Sequence, residues 1–280
     1  MGGPQKWTEE VIEERFRDGR GRGTRETYSP WIKMQEFSSR GNQTRVPGAK
    51  LNRTIHTFSY LERAMFLLTE FSDGFWDYNE QRPIERAVTL GFAKKLALKH
   101  PRYPRTGVPL VMTLDAVVTE VDADGELRTS AWDAKPARQL EKLRVREKLS
   151  LHKAYCAHIG IPHYIFTETS APRNVVRNID FIRMSLPKDG EVLTVPGLLT
   201  WHLDQFHEDL FKCRTRPSVT HFCAQYDSAN GLERGAGLRI FKNLVWQRRI
   251  EVDLSAQWLE RQPIPRRGEL TPCFDLRRAA

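Results

Sequence analysis

Apolar positions are sparse over the first 50 residues, where charge and glycine dominate. Val11, Ile12 and Phe16 fall at near-helical spacing and predict a short helix over 9–16. From Ser59 the pattern sharpens: Leu61, Met65 and Leu68 recur at i, i+4 and i+7, the mark of a helix with one face in a core. Phe75–Tyr78 and Val108–Val121 read as extended. Asp122-Ala123-Asp124-Gly125, set between Val117-Val118 and Leu127–Trp132, reads as a hairpin turn. The second strand of that hairpin ends at Pro136. A charged amphipathic helix is predicted over 137–158, with Leu140, Leu143, Val145, Leu149 and Leu151 on its buried side and Gly160 and Pro162 closing it. His163–Thr167 is another strand. Helix, strand, hairpin, helix and strand in that order predict an α/β core built on a mixed sheet.

Past a polar break at Pro187-Lys188-Asp189-Gly190, taken as the domain boundary, the period becomes helical again. Leu199, Leu203, Phe206 and Leu210 mark one helix, Val219–Tyr226 a short second, and Leu238–Trp246 a third that runs into the basic stretch Arg248–Asp253. Helices ending in a short basic strand suggest a small, mostly α winged-helix module. The expected division is a basic arm over 1–50, a core over 51–187, a winged-helix-like domain over 188–262 and a basic tail over 263–280. No internal repeat or coiled-coil stripe is present.

Composition narrows the class. A chain of 280 residues with 40% hydrophobic and 28% charged residues can bury a core, and is neither collagen-like nor wholly disordered. No window resembles a membrane-spanning helix, and the charged start MGGPQKWTEE lacks the apolar stretch of a signal peptide. Lys6 stands where a myristoylation signal wants Ser or Thr. Cys156, Cys213, Cys223 and Cys273 are too few and scattered for a disulfide scaffold, so a reducing, cytoplasmic and nucleoid-associated setting in a bacterium is expected, with no membrane partner. The net charge of +9 favours polyanionic partners such as DNA. Arg20, Arg22 and Arg25, in and beside Gly19-Arg20-Gly21-Arg22-Gly23, are expected to contact phosphates from an arm that orders on DNA, a plain solvated loop being the alternative.

The chemistry concentrates at Trp132-Asp133-Ala134-Lys135. Residues two apart in a strand share a face, so Asp133 and Lys135 fall side by side, and Asp115 comes from the partner strand of the hairpin. Two carboxylates and a lysine on one face suit metal-dependent phosphodiester hydrolysis: the acids hold a hard divalent cation and the lysine orients or deprotonates the attacking water. An exposed cross-strand ion pair is the alternative. Glu62, one turn into its helix, is placed to add a third carboxylate, although Ser59-x-x-Glu62 is also a capping box. His207, Cys213, His221 and Cys223 lack the close cysteine pair of a structural zinc site. There is no phosphate-binding G-x-x-x-x-G-K-[ST] loop, so any nucleotide switch belongs to a partner.

The order Glu62, Asp115, Asp133-x-Lys135 and long helix resembles the PD-(D/E)xK restriction-endonuclease-like nucleases. More narrowly, the Gly19–Gly23 run, Tyr28-x-Pro30-Trp31, Ser59-x-Leu61-Glu62, Asn79-Glu80-Gln81-x-Pro83, Lys99-His100-Pro101, Leu114-Asp115 and Lys135-Pro136-Ala137 are similar to TnsA, the endonuclease subunits of heteromeric cut-and-paste transposons. The likeness runs over about residues 10–185 and continues more weakly beyond. It implies an endodeoxyribonuclease that cuts the 5′, non-transferred strand at transposon ends, using Mg²⁺ with Mn²⁺ as a substitute. It further implies work with a TnsB-type transposase and a TnsC-type AAA+ regulator. Glu62, Asp115 and Asp133 would be metal ligands and Lys135 would position water. Asp133 stands where family members can carry Gln or another polar acceptor, and Leu114 where the general motif has Pro. Lys99 and His100 are candidates for phosphate contact, with a loop-fixing role the alternative for His100. Arg234, Arg239, Lys242, Arg248 and Arg249 would supply a basic surface for DNA or the regulator, unless they form a solvated face. A catalytically silent scaffold and a stand-alone restriction or repair nuclease are the competing expectations.

Overall fold

The computed structural model describes residues 6–36, 43–170, 172–187, 191, 193, 195 and 197–267. The chain forms two compact units, the second beginning at Pro172. The first contains α1 (Glu9–Arg17), β1 (Thr44–Pro47), β2 (Thr54–Thr57), α2 (Tyr60–Phe71), β3 (Phe75–Pro83), α3 (Arg86–Lys95), β4 (Thr113–Val121), β5 (Leu127–Ala134), α4 (Ala137–Leu140), α5 (Leu143–His158) and β6 (His163–Phe166). Strands β3, β4, β5 and β6 form a mixed sheet in that order, antiparallel except for the parallel β5–β6 pair. The expected α/β core on a mixed sheet is therefore present, and β1–β2 adds a small separate hairpin.

Local chemistry explains these elements. Ser59 caps α2 by accepting from the Glu62 amide, and ten of its twelve residues are buried, so α2 is a core helix. The β4–β5 turn closes as predicted: Gly125 adopts φ +84°, and Asp122 accepts from the Asp124 and Glu126 amides. Alternation divides the sheet. Tyr78 meets Phe66 of α2 edge-on, with ring centroids 5.0 Å apart. Ala131 packs with Leu151 and Cys156 of α5 and Ala93 of α3. The helix predicted over 137–158 is broken at Glu141–Lys142, where Lys142 turns extended, and Leu143 is consequently exposed rather than buried.

The glycine-arginine segment departs from the expected arm. Gly21 sits at φ +73°, and a Cβ there would meet the Pro83 ring at 2.1 Å. Its amide bonds Ser29 O, the Tyr28 hydroxyl donates to Glu80 O at 3.0 Å, and Trp31 is completely buried. The glycines admit close packing against β3, so this stretch is a strap on the first unit.

The second unit contains α6 (Arg173–Arg183), α7 (Trp201–Lys212), α8 (Val219–Ala229) and α9 (Ala236–Trp246). The boundary thus precedes α6, not the polar break at 187, because Val175, Val176, Ile179 and Ile182 bury a strongly amphipathic face within this unit. No β-strand is present among its described residues, and the winged-helix expectation is not met. Among the described residues the stretch after α9 pairs only at an isolated antiparallel bridge, Ser218↔Pro263. Asn178 of α6 instead donates to the carbonyls of Leu254 and Ala256 at 2.9 and 2.8 Å. No helix among the described residues is long and apolar enough to cross a membrane.

Candidate active site

Pairing between β4 and β5 runs from Val121↔Leu127 to Ala116↔Trp132 and stops there. The next residues outward are Asp115 and Asp133, so two carboxylates emerge where the strands part. Beyond that point β5 continues with β6, Lys135 N donating to Phe166 O at 2.9 Å.

Asp115 fills part of this gap. Its Oδ2 accepts from Ala134 N at 2.9 Å and from Lys135 Nζ at 2.5 Å. Lys135 also donates to Ala134 O at 3.1 Å. Burial would lower the Lys135 pKa, but Asp115, Asp133 and Glu62 outweigh it and hold the ammonium well above its usual range. The pair is not sealed: Lys135 keeps 28% and Asp115 13% of side-chain exposure.

Glu62 approaches from α2. Its carboxylate accepts from Phe58 N at 3.0 Å and from the Ser59 hydroxyl at 2.9 Å, so Glu62 closes the helix start through the residue before the cap and not through the Ser59 amide of a capping box. The cap does not exclude the site. Burial and the charge of Asp115 raise the Glu62 pKa to about 7, while Lys135 pulls it down. Glu62, Asp115 and Lys135 thus share one electrostatic neighbourhood, drawn from a helix and two strands.

Asp133 has a different setting. It is fully buried, and its Oδ2 lies 2.6 Å from His152 Nδ1 and 2.7 Å from His163 Nε2. Burial opposes its charge, yet His152 and His163 more than compensate and keep its pKa well below the carboxylate range. Asp133 and Lys135 lie near enough for each to feel the other's charge, as residues two apart on one face should, while the hydrogen bond of the lysine goes to Asp115. Neither histidine was singled out by sequence reasoning. The signal is weak but real: His163 opens the strand parallel to β5, and the register Ala131↔His163 sets it diagonally beside Asp133 on the same face.

The remaining predicted contacts separate into surface and interior. Arg20 pairs with Glu36 at 2.6 Å, and Arg25 donates to the carbonyls of Trp76 and Lys50, so both brace the strap; Arg22 is exposed. Lys99 is exposed, whereas His100 is buried, bonding Pro101 O and Thr89 Oγ1 at 2.9 and 3.1 Å with its pKa lowered by burial. That geometry fixes a loop and corrects the phosphate-contact expectation for His100. In the second unit Arg234, Arg248 and Arg249 are exposed, Arg249 pairing with Asp204 at 2.7 Å. Arg239 is tied to Ser185 O and Glu191. Lys242 is buried with Nζ 3.5 Å from the Phe181 ring centroid, and so is not part of a basic surface. Glu80 and Gln81, in one of the quoted motifs, serve the scaffold: Arg53 grips Glu80 with two bonds of 2.9 and 2.8 Å, and Gln81 O receives Trp31 N.

Comparison with known proteins agrees with this division. Residues 73–168 match the family model described as TnsA-like endonuclease N terminal, and residues 171–254 match TnsA endonuclease C terminal. The chain is 31% identical over 234 residues to the Transposon Tn7 transposition protein TnsA of Escherichia coli, covering 83% of this chain and 81% of that one. Matches in both units, and identity of that level across most of both chains, show that this chain belongs to the TnsA family of endonucleases.

Proposed function

We propose that the chain is the endonuclease subunit of a cut-and-paste transposition machinery and cleaves the 5′, non-transferred strand at the transposon ends. It acts on DNA together with a TnsB-type transposase and a TnsC-type AAA+ regulator. The observation that carries this reading is the meeting of Glu62, Asp115 and Lys135 where β4 and β5 part.

The donor set fits a hard divalent cation, Mg²⁺ with Mn²⁺ as substitute, held by Glu62 and Asp115. Both donors are carboxylate oxygens, as such ions require. Asp115 uses only Oδ2 in its bonds to Ala134 and Lys135, and a carboxyl raised to about 7 by burial and a like charge gains most from a cation beside it. When bound, the cation acidifies water and offsets charge on the scissile phosphate. The chain's own contribution is positional. Lys135, kept an ammonium by its carboxylate neighbours, orients water and the phosphate oxygens as a point charge rather than removing a proton. Ser59 and the Phe58 amide fix the Glu62 carboxylate, and Ala134 N fixes that of Asp115. Asp133, the acid of the Asp133-x-Lys135 pair, uses only Oδ2 in its bonds to the two histidines, which leaves Oδ1 as its ligand atom.

Strand-specific cleavage of end-labelled DNA carrying transposon ends, with Mg²⁺, tests the reading with the chain alone and with TnsB-type and TnsC-type partners. Cutting at the 5′ ends that needs the partners and disappears in Asp115→Ala is the expected result. Cutting without partners would establish a stand-alone nuclease, and assembly with normal excision by the Asp115→Ala variant would establish a silent scaffold.

A further inference from the structure

We infer that His163 of β6, together with His152 of α5, is a positioning residue of the cleavage centre: the two rings grip one oxygen of Asp133 and so aim the other at the divalent cation. The inference rests on the nuclease reading, from which that cation comes.

The grip is specific. An ionised carboxylate only accepts hydrogen bonds, so each ring nitrogen that meets it carries a proton. His152 Nδ1–H and His163 Nε2–H both end on Asp133 Oδ2, at 2.6 and 2.7 Å. The rings stand at 84° to each other with centroids 6.3 Å apart, so they reach that oxygen from different directions. One donor would leave the carboxylate free to swing, whereas two on the same oxygen fix its plane. The donors are themselves fixed. His163 is the first residue of β6, whose parallel register with β5 runs from Ala131↔His163 to Ala134↔Phe166. His152 follows Leu149 and Leu151, which bury α5, and Leu151 packs with Ala131 of β5. Neither ring can follow the carboxylate if it turns.

The oxygen left over carries the argument further. Asp133 Oδ1 is buried and has no hydrogen-bond partner, which is costly for a charged group. A network built for stability alone would divide two donors between the two oxygens. Asp115 shows the same division, with Ala134 N and Lys135 Nζ both ending on its Oδ2. The two acids are neighbours where β4–β5 pairing stops, so each keeps Oδ1 for a cation at the strand ends. A hard divalent ion takes carboxylate oxygen. The rings stay off it, because their inner nitrogens carry the protons that Oδ2 receives. Their part is to hold the ligand still, the role of a hydrogen-bond partner behind a ligating group.

Mn²⁺ binding to the full chain without DNA, followed by electron paramagnetic resonance, tests this apart from cleavage. His163→Phe and His152→Phe each remove one donor and are expected to weaken Mn²⁺ binding about 10- to 100-fold. Amides of matched reach should restore it: His163→Gln replaces Nε2–H, and His152→Asn replaces Nδ1–H. His163→Asn and His152→Gln misplace the same amide and should not. A loss of stability alone does not produce that pattern. Wild-type affinity in both Phe variants, with loss in Asp115→Asn, would overturn the positioning role and leave the nuclease reading intact. Unchanged affinity in Asp115→Asn and Glu62→Gln as well would overturn both. If the Phe variants do not fold, the amides decide, and equal affinity for matched and mismatched pairs would overturn the inference. The wild type adds a test without substitution. In ¹⁵N-histidine spectra Mg²⁺ should shift two of the eight rings, and a spectrum in which no ring moves would overturn the inference.

Discussion

Lys135 in the first unit and Lys242 in the second are both withdrawn from water, and their surroundings push them in opposite directions. Lys135 is half-buried among Asp115, Asp133 and Glu62, and its ammonium is held well above the usual lysine range despite burial. Lys242 is buried over the Phe181 ring, and burial lowers its pKa to about 8 against the weaker support of Glu260 and Cys223. Burial alone therefore does not make a lysine functional. What distinguishes Lys135 is the charge of three nearby carboxylates and a remaining opening to solvent, which are the properties a phosphate-handling cation needs.

The comparison breaks most decisively at Asp115. Asp115→Ala removes a proposed ligand and the partner of Lys135 together, and cleavage is expected to fall by at least about 10³-fold, the equivalent of about 4 kcal/mol of transition-state stabilisation. Circular dichroism and DNA binding should stay near wild type, since Asp115 is not in the core. Cleavage within tenfold of wild type in the assembled complex would remove Asp115 from the site.

Lys135→Met keeps the length of the side chain and discards its charge. The expected loss is about 10²-fold in the single-turnover rate, comparable to removing one positioned catalytic group. Lys135→Arg should recover only part of it, because a planar guanidinium does not reproduce a point charge at 2.5 Å from Asp115 Oδ2. Full activity in Lys135→Met would make this lysine an ordinary ion-pair partner.

Glu62 allows the structural and chemical roles to be separated. It both caps α2 and stands beside Asp115. Glu62→Gln retains an oxygen for the Phe58 amide, so thermal unfolding should change little while cleavage drops by at least about tenfold, the loss of one charged ligand. Glu62→Ala should lose the same activity and, in addition, about 1 kcal/mol of stability with the cap. If Glu62→Gln cuts as well as wild type, the residue is a cap only.

Parts of this site were legible beforehand for a physical reason. Asp115, Lys135 and Glu62 lie at the ends of elements whose period is strong: Leu61, Met65 and Leu68 along α2, and the apolar runs of the hairpin. A pattern of that strength places a residue on an element and a face. It does not reveal what the next element brings. His152 and His163 reach Asp133 only because β6 lies parallel to β5 and α5 brings His152 to the same carboxylate, a tertiary fact of which the sequence shows only that His163 opens a strand. The Gly19–Gly23 run was misread for a related reason. Arginine and glycine have the same composition in a DNA-binding arm and in a strap, and only contacts such as Tyr28 to Glu80 O distinguish the two. The wing failed because a basic stretch is not a strand without a partner.

The smallest effect concerns Lys242 and tests the other half of the comparison. Its pKa is about 8 in the folded protein and about 10.4 in an unfolded chain, so between those values the unfolded state binds more protons. Folding stability contributed by this residue therefore rises with pH through that window and is constant below it, where both states carry the charge. Lys242→Met, of similar volume, removes the titration. It should be at least as stable as wild type at neutral pH, by no more than about 1.5 kcal/mol, since it gives up the ring contact along with the buried charge. Cys223 complicates the raw profile, because burial raises its pKa and makes its own contribution fall as pH rises. Because Cys223 and Lys242 act on each other's charge, the informative quantity is the difference between Cys223→Ala and Cys223→Ala/Lys242→Met in denaturant unfolding, measured at about pH 7 and about pH 9.5. The variant's advantage should shrink toward the higher pH while DNA cleavage is the same for both proteins. A difference that does not change with pH would mean that Lys242 reaches water, and would return it to the basic surface that the family resemblance implied.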